Sequence, residues 1–340
     1  MQLREAVLGA TAELEAAGID RARLTAEVLL LHATGRDRTF LYAHPEYVLS
    51  EAEEACAREL IARRAAGEPP QYLTGHQEFW GLDFRVTPAV LIPRPETEFL
   101  VEKVVELVSS SPLFPLKPKD GLNGAPEFPT QAKTQCLHGT PVSHLCHGGS
   151  QVSSAALREP GAQPELGAQS GQPLKIIDVG TGSGAIAVAL AHDLPQAEVH
   201  AVDLSPEALA VARENAERLG VRVRFLQSDV LEAVTRDGSF DFVVSNPPYV
   251  GLNEADKVQQ MVKDYEPHLA LFAGEEGLTV IRRLIPQARE ALRAGGWMLM
   301  EIGWSQSEAV MALLNGWAEV QAIPDLAGIP RIIAARKPQQ

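Results

Sequence analysis

Apolar residues recur at steps of three and four through the first seventy positions: Leu3, Ala6, Val7, Ala10 and Leu14, then Leu24, Val28, Leu29 and Leu31 to Ala33. That period is the signature of helices burying one stripe each. Asp20 and Ser50 stand ahead of helical patterns as N-caps, and Glu51, Glu53 and Glu54 follow the second where a first turn favours negative charge. Gly67 and the Pro69–Pro70 pair close the helical set. The pattern then changes to aromatic and β-branched residues. Phe79-Trp80, Gly81, Phe84 and Val86 predict a short hairpin, and a helix follows over roughly Glu96 to Val108. From Leu174 onward apolar runs alternate with amphipathic stretches. The runs are Ile176–Val179, Val199–Val202, Val221–Leu226, Phe240–Val244, Trp297–Ile302 and Ile332–Ala335. Between the second and third, Ser205 is placed to cap a helix, Pro206 occupies its first position, Ala208, Ala212, Ala216 and Leu219 form its buried stripe, and Gly220 stops it. Strand–helix alternation over this length predicts a parallel, doubly wound α/β sheet.

The chain of 340 residues thereby divides into a small helical domain over 1–75, a hairpin and connecting helix over 76–109, and an α/β domain over 174–340. Between them, 110–173 holds nine of the 24 prolines with many Gly, Ser and Gln and no sustained period. It reads as a flexible, low-complexity insertion.

The composition, 45% hydrophobic and 22% charged, is that of an ordinary globular protein. A formal net charge of −14 argues against phosphate-driven binding of bare nucleic acid and suits a basic protein partner. Three cysteines, Cys56, Cys136 and Cys146, are too few for a disulfide scaffold and fit a reducing cytoplasm. No apolar run of membrane-spanning length occurs.

The first strand of the α/β domain runs into Asp178-Val179-Gly180-Thr181-Gly182-Ser183-Gly184, and a helix, Ala185 to His192, starts at once. Glycines there allow a sharp turn and the close approach of a ligand. Asp203, at the end of the second strand, is in register to accept hydrogen bonds from ribose hydroxyls. The spacing is Gly-x-Gly-x-Gly, not the dinucleotide Gly-x-Gly-x-x-Gly, and no Lys-Ser/Thr pair makes it a P-loop. Asp178 puts a carboxylate where a positive amino group can lie, which favours S-adenosylmethionine over a diphosphate. Asp229, after the third strand, is a candidate for the adenine amino group, or equally an N-cap for a helix from Val230 onward.

The fourth strand runs into Ser245-Asn246-Pro247-Pro248-Tyr249. Ligands of open α/β sheets lie outside the carboxyl ends of the strands, so this loop faces the cofactor. An amide or aromatic amine nitrogen is a poor nucleophile because its lone pair is delocalised. An enzyme can hold its two N–H bonds with acceptors and aim it at a methyl group. Asn246 offers a side-chain oxygen, and Pro247 a carbonyl with no N–H of its own. Pro248 stiffens the arrangement, and Tyr249 offers a flat face for a planar group.

With these motifs in place, the sequence resembles the PrmC/HemK family of protein-(glutamine-N5) methyltransferases, which act on class 1 peptide chain release factors. The resemblance is carried by PPQYLTG at Pro69–Gly75, EFWGLDF at Glu78–Phe84, LIPRPETE at Leu91–Glu98, DVGTGSGAIA at Asp178–Ala187, AVD at Ala201–Asp203, SNPPYV at Ser245–Val250, EPHLALFAGEEGL at Glu266–Leu278 and LMEIGW at Leu299–Trp304. It implies a Rossmann-like class I methyltransferase sheet with a small N-terminal helical domain that recognises the substrate, S-adenosylmethionine as cofactor, and a release factor as partner. Gly180 to Gly184 and Asp203 would hold the cofactor, with Asp229 and Val230 beside the adenine. Asn246, Pro247 and Tyr249 would hold the target glutamine, in a Gly-Gly-Gln motif. Arg94 and Glu98 would organise the wall between domains, or form an interdomain salt bridge of structural worth. The insertion departs from the family pattern. Its CLHGTPVSHLCH segment crowds Cys136, His138, His144, Cys146 and His147, but the spacing matches no common zinc site, and no metal is expected.

Two other classes use the same residues differently. Methylation of an exocyclic amine on nucleic acid, adenine-N6 or guanine-N2, needs a basic, base-flipping surface. A non-catalytic binding module would be expected to lose Asn246 or a loop glycine, and none is missing.

Overall fold

The computed structural model describes residues 1–110 and 173–339. The insertion and its Cys/His cluster lie outside the described residues. Helices α1 (Leu3–Ala16), α2 (Ala22–Thr34), α3 (Arg38–Ala43), α4 (Glu51–Ala65) and α5 (Pro70–Thr74) come first. All five apolar positions of the first stripe, Leu3, Ala6, Val7, Ala10 and Leu14, are buried, and with Ala26, Leu29, Leu30, Leu60 and Ile61 they make a separate core. Ser50 caps α4 in a reciprocal capping box with Glu53, an arrangement whose loss typically costs about 1 kcal/mol.

Three expectations are corrected here. The buried face of α2 runs through Ala22, Ala26, Leu29 and Leu30, leaving Leu24 and Val28 exposed. The chain enters α2 through Arg21 in the left-handed conformation with no side-chain cap, so Asp20 sits one residue too early to reach the free amides. Pro69–Pro70 starts the short α5, with Pro70 at its first position, instead of closing the set.

The hairpin pairs β1 (His76–Phe79) with β2 (Leu82–Arg85). Its two-residue turn places Trp80 at φ 58° and Gly81 at φ 69°, the doubly left-handed geometry that matches strand twist. The Trp80 amide donates to Glu98 Oε1 at 2.9 Å and the Gly81 amide to Glu78 Oε1 at 2.7 Å, which holds this unusual conformation. A 3₁₀ turn over Pro95–Thr97 then leads into α6 (Glu98–Ser109).

The α/β part is β3 (Lys175–Val179), α7 (Ala185–Asp193), β4 (Glu198–Asp203), α8 (Pro206–Arg218), β5 (Val223–Gln227), β6 (Phe240–Ser245), α9 (Gln260–Tyr265), α10 (His268–Leu271), α11 (Thr279–Ala291), β7 (Leu292–Glu301), α12 (Ser307–Leu313), β8 (Ala318–Pro324) and β9 (Pro330–Arg336). The seven-stranded sheet has the order β5-β4-β3-β6-β7-β9-β8. Strands β3 to β7 pair in parallel, and β9 runs antiparallel to both its neighbours. Six of the seven strands were legible from apolar runs; β8 was not. It is an edge strand of half-buried and exposed residues, so it lacks the continuous apolar run of strands covered on both faces.

One apolar layer on the sheet joins α6 and α7 to Phe79 and Phe84 of the hairpin. A second packs α11 and α12 on the other side. The chain winds from β3 outward through β4 and β5, then returns to lay β6 on the other side of β3. The reversal leaves a crevice at the carboxyl ends of β3 and β6.

Candidate active site

The glycine loop occupies that crevice. The Gly180 and Thr181 amides donate to Val202 O of β4, and the Gly184 amide to Thr181 O. Gly182 takes φ 55°, which a side chain resists, and a Cβ there would meet nothing within 4 Å. Its open side faces the cavity. Gly184 matters for a different reason: at φ 84° it starts α7, and a Cβ would lie 3.1 Å from the Ala212 Cβ of α8. Asp203 stands opposite. Its Oδ2 accepts from the Gly182 amide at 2.8 Å and its Oδ1 from the Ser205 amide at 2.9 Å. Burial raises this carboxyl's pKa above the ordinary aspartate value despite those bonds. Each oxygen keeps a lone pair for a hydroxyl donor.

Strand β6 ends at Ser245, whose hydroxyl donates to Val179 O at 2.7 Å and fixes the two strand ends together. Beyond it, Asn246 Nδ2 donates to Thr97 Oγ1 at 3.0 Å. The Thr97 hydroxyl donates to Glu301 Oε2 at 2.6 Å, and the Tyr249 hydroxyl donates to Glu301 Oε1 at 3.1 Å. Burial raises the pKa of Glu301, and burial beside that carboxylate raises the pKa of Tyr249. Thr97 ends the 3₁₀ turn with helical backbone angles, φ −70° and ψ −19°, so its hydroxyl makes no capping bond to α6 and is directed to Glu301 and Asn246. The carbonyl of Tyr249 is held by Gln306 Nε2 at 2.9 Å, and a Cβ on Gly277 would stand 2.1 Å from that oxygen. Only glycine admits so close an approach.

A loop over residues 89–94 forms the remaining wall. Tyr72 donates its hydroxyl to Val90 O at 2.6 Å, and buried Glu266 accepts from the Ile92 amide at 3.2 Å and from Arg94 Nη2 at 2.5 Å. The cavity, about 370 Å³, is lined by this loop, Thr97, Gly180 to Ser183, Asp203, Asp229, Val230, Asn246, Pro247 and Pro248.

Five expected residues are placed differently, in whole or in part. Asp178 is fully buried beneath the loop and does not line the cavity. Its Oδ2 accepts from the Thr181 hydroxyl at 2.6 Å, while Oδ1 looks toward the Ala187 amide without a hydrogen bond of ordinary geometry. Burial pushes this carboxyl up to about 7. It braces the loop from behind instead of facing a cofactor's amino group. Tyr249 is likewise turned inward, its ring packed on the core under β7 and its hydroxyl tied to Glu301, so it offers no face to the cavity. Arg94 and Glu98 do not bridge each other: Arg94 pairs with Glu266, and Glu98 serves the hairpin turn. Asp229 lines the cavity and pairs with Arg283 at 2.8 Å, but it caps no helix, because Val230 follows at φ 52° in a turn. Thr97, Glu266, Glu301 and Gln306, all of which shape the site, carried no periodicity or spacing of their own. Thr97, Glu266 and Glu301 stand inside segments that bear the family resemblance and Gln306 just beyond the last of them, and nothing in those segments says what they touch.

Among the described residues no group of three or more His, Cys, Asp or Glu side chains could hold a metal ion, and no helix is long and apolar enough to cross a membrane.

A reversal crevice with a glycine turn on one side and an Asn-Pro corner on the other defines an S-adenosylmethionine-dependent methyltransferase with a doubly wound sheet. Comparison with known proteins sharpens that class. Residues 5–75 match the PrmC N-terminal domain and 165–272 the methyltransferase small domain. The chain is 43% identical over 338 residues to the release factor glutamine methyltransferase of Koribacter versatilis, covering 99% of each chain. It is 39% identical over 345 residues to that of Moorella thermoacetica, covering 100% of each, and 36% identical over 320 residues to that of Salmonella typhimurium, covering 93% of each. The chain belongs to the release factor glutamine methyltransferase family.

Proposed function

We propose that this enzyme methylates the side-chain amide nitrogen of the glutamine in the Gly-Gly-Gln motif of class 1 translation release factors. The observation that carries the reading is that Asn246 and Pro247 line the same cavity as the glycine turn and Asp203, at strand ends locked together by Ser245. A nucleoside and a small planar amide can therefore meet there.

The residues present fit S-adenosylmethionine. Gly180 and Gly182 place no Cβ against the cavity, Asp203 keeps lone pairs for the ribose hydroxyls, and Asp229 and Val230 flank the space for adenine. When bound, the cofactor supplies an electrophilic methyl group on a positively charged sulfur. Everything else falls to the chain. Asn246 Oδ1 and the Pro247 carbonyl accept the two N–H bonds of the glutamine amide and aim its nitrogen. Pro248, with Tyr249 anchored at Glu301, keeps the corner stiff. Alignment of this kind can contribute on the order of 7–11 kcal/mol to lowering a barrier. The helical domain, 1–75 in our division, would contact the release factor, whose glutamine enters beneath the loop that Arg94 and Glu266 hold in place.

The test is mass spectrometry of a recombinant release factor incubated with enzyme and S-adenosylmethionine. A single methyl on the glutamine of the Gly-Gly-Gln peptide is the expected result. An unmodified peptide beside methylated RNA or DNA in a parallel tube would overturn the reading in favour of an exocyclic amine.

A further inference from the structure

We propose that Thr97 and Glu301 are positioning residues that decide which end of the Asn246 side-chain amide faces the cavity. The inference rests on the proposed reading that Asn246 Oδ1 receives the substrate amide.

An asparagine side chain has two nearly isosteric ends, one an acceptor and the other a double donor. Only the oxygen end can take an N–H from a substrate amide. A corner that held Asn246 in place but let its amide turn over would present a donor to a donor, and the substrate nitrogen would be repelled. The structure contains a chain of bonds that removes this freedom. At its far end lies the carboxylate of Glu301, 2% exposed, with each oxygen receiving one hydroxyl: Oε2 from Thr97 and Oε1 from Tyr249. With Glu301 in its carboxylate form, an acceptor only, both hydroxyls spend their single proton on it, as the two bonds are arranged. The Thr97 oxygen is then left with lone pairs alone. It can only accept, so Asn246 must offer Nδ2 to it, as observed at 3.0 Å. Oδ1 is turned the other way by elimination.

One further feature favours an orienting role over simple neutralisation of a buried acid. Glu301 gathers both ends of the Asn-Pro-Pro-Tyr corner, Asn246 through Thr97 and Tyr249 directly. One carboxylate therefore sets the direction of the amide and the seat of the strap that carries it.

The experiment compares wild type with Thr97→Val, Thr97→Ser, Glu301→Met and the double variant Thr97→Val/Glu301→Met. Methylation of a release factor gives kcat and KM, calorimetry gives cofactor affinity, and the Asn246 side-chain NH2 resonances are followed in protein labelled with 15N-asparagine. Thr97→Val is expected to lower kcat on the order of 100-fold, the loss typical of a misplaced reacting group, while cofactor affinity stays near wild type. Thr97→Ser restores the hydroxyl and should recover most of the rate and the wild-type resonances. The double variant should be no worse than its worse single, because both act through one chain of bonds. Wild-type kcat with unmoved Asn246 resonances in Thr97→Val, or losses that multiply in the double variant, would overturn the proposal. The resonance measurement needs no substrate. It decides the amide's orientation even if wild-type enzyme leaves the release factor unmodified, an outcome that sinks the proposed function alone.

Discussion

The two walls of the cavity are built on opposite plans. The wall formed by the glycine turn is mostly backbone, and its parts lie close in sequence: Gly182 to Asp203 spans 21 positions, and Asp178 to Thr181 spans three. The wall at the Asn-Pro corner is a relay of side chains drawn from distant segments, with Thr97 reaching 149 positions to Asn246 and 204 to Glu301. A backbone wall is fixed as soon as one strand-turn-helix unit and the strand that follows it have formed. A side-chain wall is fixed only when the whole sheet is in register, and each member depends on the next. The first should therefore yield gradually to substitution, and the second abruptly.

The sharpest way to break this comparison is at Asn246. Asn246→Ala is expected to lower kcat on the order of 1,000-fold or more while cofactor affinity measured by calorimetry holds, since the loss falls on orientation alone. Near-normal turnover would show that the side-chain wall does no orienting. On the backbone wall, Asp203→Ala removes a charged acceptor for hydroxyls, and hydrogen bonds to charged groups contribute about 1.5–3 kcal/mol each. Cofactor affinity should fall roughly 10- to 100-fold, with kcat at saturating cofactor much less affected. Unchanged affinity would remove Asp203 from the ribose.

Asp178 tests the wall from behind, through pH. Its carboxyl titrates near 7 in the folded protein against 3.8 for an ordinary aspartate. The native state therefore keeps a proton that the unfolded chain gives up near 3.8, and wild-type stability declines as pH rises through the interval up to 7. Asp178→Asn lacks this penalty and keeps an acceptor for Thr181. Its melting temperature should gain on wild type between pH 4 and pH 7 and hold a constant difference above that. Parallel curves across the interval would mean that the carboxyl is not strained there. The smallest effect is reserved for Gly184→Ala, where a left-handed φ and a Cβ contact of 3.1 Å combine to cost about 1–2 kcal/mol in denaturant melts.

The same division decides what could be read from the chain beforehand. Asp203, the glycine turn and the Ser205–Pro206 start of α8 are local arrangements, and spacing encodes them. The Asn-Pro corner could be placed because strand ends in an open sheet face one crevice. Thr97 and Glu301 could not, since each is a single residue whose meaning lies in a contact between remote strands and loops. Tyr249 misled for the same reason: an aromatic next to a ligand loop is as readily a brace as a stacking face, and only Glu301 decides which. Leu24 and Val28 followed a helical period on the wrong face of α2, where alanines and buried Glu27 line the inner side. Small residues packed closely carry less hydropathy than the leucines they leave outside.

Asn215 joins parts of the molecule that would otherwise move separately. This fully buried side chain on α8 accepts from the Arg85 amide at 2.7 Å and donates to Arg85 O and to Ser183 O, both at 2.9 Å. The last strand before the connecting loop is thus stapled to the tip of the glycine turn. Swinging the hairpin, and the helices attached to it, away from the sheet would break these bonds together and leave an amide stranded in an apolar interior. One side chain consequently sets the spacing between the hairpin's last strand and the glycine turn, so a shift of either is felt by the other.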